Sequence, residues 1–114
     1  MHSDEVSADI KVFISSKGQA RHSPGLGRGV VELCERVERL GSLNKAAADM
    51  GMAYSKAWRI IKETEAALEI QLLNRDGAHG SSLTDEGNKL LDSYLEIAKR
   101  VQEAAEKEFH RLVD

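Results

Sequence analysis

The sequence predicts a mainly helical domain with a small β component, and three observations carry that prediction. From residue 28 onward, apolar residues recur at the 3.6-residue helical period in three successive segments and again from residue 85 to the end. Glycines or capping hydroxyls stand between these segments, at Gly41, Ser42, Gly51 and Thr84. Strand-like patterning is confined to a short stretch near the N-terminus and to two short apolar stretches flanking the polar turn 74–80.

Taken in order, Ile10, Val12 and Ile14 alternate with Lys11, although Phe13 breaks strict alternation, and a short strand is expected there. A loop follows to Gly29, holding the only proline, Pro24, and four glycines. The Gly25-Leu26-Gly27-Arg28-Gly29 run lacks the Gly-Lys-Ser/Thr ending of a phosphate loop and the spacing of a dinucleotide fingerprint, so it reads as a tight lead into a helix. In that first helix Val30, Val31, Leu33, Cys34, Val37 and Leu40 form one face, and Gly41 stops it. Ser42 caps a second, short helix with Leu43, Ala46, Ala47 and Met50 on one side. After Gly51, a third helix sets Tyr54, Ala57, Trp58, Ile61 and Leu68 against a polar side of Ser55, Lys56, Arg59 and Lys62. Ile70, Leu72 and Leu73 then lead through 74–80 to a returning strand anchored by Leu83, a hairpin. Thr84 caps the final helix, with Asp85 and Glu86 at its positive end. Two short helices joined by a glycine turn, the second with a polar face, followed by a hairpin, make a winged helix-turn-helix.

This pattern divides the chain into an N-terminal strand and loop (1–25), a winged helix-turn-helix (26–84) and a long C-terminal dimerisation helix (85–114). In the last, Leu91, Ala98, Ala105 and Leu112 lie seven residues apart with Tyr94 and Val101 between them and Glu108 breaking the next place in that series, a seam that asks for a second copy as its partner. Packing against the first helix accounts for the first half of that seam only.

With 114 residues, 41% hydrophobic and 31% charged, the chain has the balance of one globular domain. No apolar run reaches the roughly 18 residues of a membrane span, and residues 1–9 lack the features of a secretory signal. A cytoplasmic location is therefore expected. The net charge of −3 is unfavourable for a phosphate-binding protein, but its distribution is not: residues 42–62 carry +3, whereas 63–84 and 85–114 carry −3 each. The four histidines are dispersed without metal-ligand spacing, and the lone Cys34 lies in register with core valines, so no metal, cofactor or catalytic constellation is expected.

The residues resemble the N-terminal DNA-binding domain of the molybdate-dependent regulator family ModE, itself related to the DNA-binding domain of LysR-type regulators. The resemblance runs from Ile10 to about Val101. It rests on the opening strand, Pro24-Gly25, Gly41-Ser42-Leu43 with Ala46-Ala47, the run from Gly51 through Trp58, Leu73 and Arg75 at the wing, and Leu83-Thr84 with Gly87. It implies a homodimer that binds double-stranded DNA and regulates transcription. Two departures matter: Ala53 stands where such proteins usually have a capping serine, and the wing is the short Asp76-Gly77-Ala78-His79-Gly80 rather than a glycine run. No molybdate-binding domain follows Asp114, so molybdate binding is not expected.

The expected DNA-binding residues are Asn44 and Lys45 at the second helix, Tyr54, Ser55, Lys56, Arg59 and Lys62 on the third, and Arg75, His79, Ser81 and Ser82 on the wing. Arg59 has the chemistry to pair with guanine, Lys56 to reach guanine or phosphate, and Lys62 to reach phosphate; contact with phosphate alone is the competing reading for the first two. Arg75 is equally able to pair with Asp76 or Glu69. Trp58 is expected in the core, whereas Tyr54 is divided between packing and a phosphate contact. An alternative function is a protein-interaction module docking through the acidic last helix, and oxyanion binding by the domain itself rests on the family association alone.

Overall fold

The computed structural model describes residues 2–18, 24–75 and 80–114, apart from the side chains of Ser3 and Arg75. A 3-10 turn at Ser3–Glu5 opens an extended arm. Helices α1 (Arg28–Leu40), α2 (Leu43–Asp49) and α3 (Tyr54–Leu68), strands β1 (Leu73–Arg75) and β2 (Ser81–Leu83), and helix α4 (Asp85–Val113) follow. The expected mainly helical, winged architecture is the one observed.

Helix α1 buries Val30, Val31, Leu33, Cys34 and Val37 along one side. It ends where Gly41 turns left-handed (φ 87°) and donates its N–H to the Val37 carbonyl at 2.8 Å. Ser42 caps α2 as expected, its Oγ accepting the Lys45 N–H at 3.1 Å. Ala46 and Ala47 are fully buried, and their small side chains let α2 lie close against α1. At the rim, Asp49 accepts from Arg36 at 2.7 Å and pairs with Arg39 at 3.5 Å, tying the end of α2 back to α1. The Arg36 hydrogen bond holds the Asp49 carboxyl below its usual range.

Residues 50–53 make the turn into α3, which buries Ala57, Ile61, Thr64 and Glu65. Trp58 packs half-buried against the core, in line with its expected role. Tyr54 does not share that burial; it is 47% exposed at the start of the helix.

β1 and β2 pair antiparallel with Leu73 opposite Leu83 and Arg75 opposite Ser81. Both leucines are buried, which fastens the wing to the core. The wing also rests on the turn after α1, because the Ser81 N–H donates to the Gly41 carbonyl at 3.0 Å. Gly80 makes this approach possible: its φ is 104°, and a Cβ there would lie 2.3 Å from the Gly41 oxygen.

Thr84 caps α4, accepting the Gly87 N–H at 2.8 Å. Gly87, Leu91 and Tyr94 are the buried residues of this helix, and beyond Ala98 it leaves the core, giving the molecule a 56 Å long axis. This corrects one part of the expected seam. Leu91 and Tyr94 are consumed by the chain's own core, and the large apolar residues left exposed on α4 are Leu95, Ile97, Val101, Leu112 and Val113, with Ala105 partly covered.

The expected strand at Ile10–Ile14 is not formed. A single bridge joins Ile14 to Leu26, with hydrogen bonds of 3.0 and 2.7 Å. The rest of the arm lies along α4, whose side chains take the place of a neighbouring strand. Gln102 accepts the Ile10 N–H at 2.9 Å and donates to the Ala8 carbonyl at 2.8 Å, while the Tyr94 hydroxyl donates to Val12 O at 2.9 Å. Backbone groups satisfied in this way need no sheet.

Candidate nucleic-acid interface

Because the turn 50–53 is tight and Ala57 and Ile61 face inward, the opposite side of α3 is left to solvent. Ser55, Lys56, Arg59, Lys62, Glu63 and Ala66 are all exposed there. Asn44 and Lys45 are exposed on the first turn of α2. Lys45, Lys56 and Arg59 form no ion pair among the described residues, so these three cations remain available.

Lys62 is placed otherwise. Its ammonium lies 3.3 Å from Glu65 Oε1 and 4.5 Å from the centre of the Trp58 ring, so this exposed cation, unlike the other three, already has partners within the chain. Its neighbour Glu65 is the residue that sequence reasoning missed. One Glu65 oxygen accepts the N–H groups of Leu72 at 2.7 Å and Leu73 at 3.3 Å. A buried carboxylate thus joins the end of α3 to the first residues of the wing and fixes the angle between the two. The signal was present in the sequence, since residues 61, 64, 65 and 68 define the inward side of α3 and a charge on that side requires a partner.

On the wing, Ser81 is half-buried and Ser82 exposed. The Arg75 side chain and His79 lie outside the described residues. Ala53 has an extended backbone (φ −65°, ψ 143°) and provides no side-chain cap, so α3 begins without one. Cys34 is buried, and burial, reinforced by Glu65 and Glu35, pushes its thiol up to about 12. Such a thiol is unreactive. Among the described residues there is no cluster of His, Cys, Asp or Glu suited to a metal ion, and no helix long and apolar enough to cross a membrane.

Comparison with solved structures finds the same fold. The CbnR_DBD–DNA complex superposes with a TM-score of 0.61 at 20% identity, covering 76% of this chain and 99% of that one. The BenM_DBD/catB site 1 DNA complex gives 0.58 at 21% identity, covering 78% and 98%. VV2_1132, a LysR family transcriptional regulator, gives 0.57 at 22% identity, covering 68% of this chain and 26% of that one. A search of curated proteins gives no match. The family model for bacterial regulatory helix-turn-helix proteins of the lysR family matches residues 30–88, the segment from α1 through the start of α4. The chain belongs to the lysR family of bacterial regulatory helix-turn-helix proteins.

Proposed function

We propose that this protein is a homodimeric transcriptional regulator that binds double-stranded DNA in a sequence-specific way, with α3 in the major groove and the wing on the flanking backbone. The observation that carries this reading is the uncommitted polar face of α3, where Ser55, Lys56 and Arg59 are exposed and the two cations are unpaired. An α-helix fits the major groove, about 12 Å wide, and Arg59 has the bidentate geometry for guanine. Lys45 and Lys56 supply phosphate contacts, and Asn44, Tyr54 and Ser81 are further proposed contacts, the first two exposed and the third half-buried. Two of the structurally similar proteins were solved with DNA, which supports the reading. Within the lysR family, the sequence run around Tyr54, Ala57 and Trp58 favours kinship with ModE-type DNA-binding domains. The exposed Val101 and Leu112, with Ala105 between them, provide the seam for a second copy.

Binding to random and genomic duplexes across a salt series tests this. Affinity is expected to fall steeply with salt, Lys56→Ala to reduce the slope by about one unit, and Arg59→Ala to relax sequence preference. Failure to bind any genomic duplex at low salt would refute the proposal. A second reading, an interaction module docking through α4, is favoured by the exposed Leu95, Ile97, Val101 and Leu112 on an acidic helix. A concentration-independent monomer in light scattering would support it over the dimer.

A further inference from the structure

We infer that Glu63 is a specificity-determining residue of the α3 surface, one that penalises arbitrary DNA and selects duplexes presenting a cytosine amino group. This rests on the DNA-binding reading above. At 100° per residue, Ser55, Arg59, Lys62 and Ala66 form the centre of the exposed face, while Lys56 and Glu63 share one flank two turns apart. Glu63 therefore stands on the surface that meets DNA, one turn beyond Arg59.

Among the described residues it forms no ion pair. Arg59, four residues before it, makes no ion pair with it, and Lys62, the adjacent cation, is turned away to Glu65 at 3.3 Å and the Trp58 ring at 4.5 Å. A carboxylate in this setting opposes the approach of phosphates to α3. In the major groove it gains only where a base edge offers an N–H donor, and the partner suited to a glutamate is the cytosine N4 amino group. Elsewhere the carboxylate is desolvated without a donor. A residue that repels most sequences and accepts a few increases the ratio of specific to non-specific affinity even when it adds little to the tightest complex. Together with Arg59, this predicts a half-site containing a guanine met by Arg59 and a cytosine met by Glu63.

The test is selection from random duplexes with the full chain, followed by affinity for the selected site and for random duplex, in the wild type, Glu63→Gln and Glu103→Gln. Gln keeps the helix and the side-chain shape while removing the charge. Glu103, exposed on α4 and forming no ion pair among the described residues, controls for the same change in net charge. Glu63→Gln is expected to lower the specific-to-random ratio by roughly fivefold or more and to lose one cytosine preference, with Glu103→Gln staying within about twofold of the wild type. An unchanged ratio and motif in Glu63→Gln, or the same loss in Glu103→Gln, overturns the inference while leaving the DNA-binding reading standing. A wild type that enriches no motif overturns both.

Discussion

Giving α3 a side-chain cap should stabilise the whole domain. Ser42 and Thr84 each accept the N–H three residues on, at 3.1 and 2.8 Å, whereas Ala53 at the head of α3 accepts nothing through its side chain. Its backbone already has the geometry of a cap: φ −65° and ψ 143° are close to the −71° and 166° of Thr84. Ala53→Ser therefore requires no rearrangement. The Lys56 N–H already reaches the Ala53 carbonyl at 3.1 Å, which the Ala57 N–H shares at the same distance, so the new hydroxyl replaces a divided bond rather than a missing one. That places the gain at the lower half of the usual range for a cap, about 0.5–1 kcal/mol. With a urea slope of about 1–3 kcal/mol/M for a small domain, the midpoint should rise by roughly 0.2–1 M at constant slope. Urea unfolding followed by circular dichroism measures this, with Ser42→Ala as the reciprocal case, expected to cost about 1 kcal/mol. An unmoved or lowered midpoint in Ala53→Ser, alongside a normal loss in Ser42→Ala, would show that the start of α3 is not limited by its cap.

Glu65→Ala should cost about 2–4 kcal/mol in the same assay, because it strands the buried Leu72 and Leu73 N–H groups, and Glu65→Gln should cost less by keeping one acceptor; equal losses would refute the wing latch. Cys34, with its thiol pushed up to about 12 from 9.0, should resist a disulfide reagent in the native protein and react on unfolding; rapid native labelling would contradict the burial. The Asp49 carboxyl is held below its ordinary value of 3.8 by the Arg36 hydrogen bond, so its stabilising contribution is complete above that pH and is lost as pH falls through the lowered folded value. Asp49→Asn should therefore be less stable than the wild type near about pH 6, with the difference shrinking as pH falls below the ordinary value of 3.8; a gap undiminished in acid would assign the effect to packing instead.

Local chemistry was enough to read the helices, their caps and the wing from the amino-acid sequence. The 3.6-residue period, the Gly41 stop and the Ser42 and Thr84 caps act within a few residues of chain, so their signals survive without tertiary context. The polar side of α3 was legible for the same reason: once Ala57 and Ile61 face inward, helical geometry turns Ser55, Lys56 and Arg59 outward. What needed the folded structure were outcomes of competition between distant groups. The N-terminal arm has the alternation of a strand, yet Gln102 and Tyr94, on a helix more than eighty residues away, satisfy its backbone first. Lys62 lies on the polar side of α3 by spacing, and only the folded structure shows that Glu65 and the Trp58 ring are its neighbours. Leu91 and Tyr94 belong to the heptad series by spacing, and packing against the chain's own core removes them from it. Periodicity specifies which face of an element is apolar; only the tertiary arrangement decides what covers that face, because burial is settled by whichever partner arrives at the smaller cost in unsatisfied polar groups.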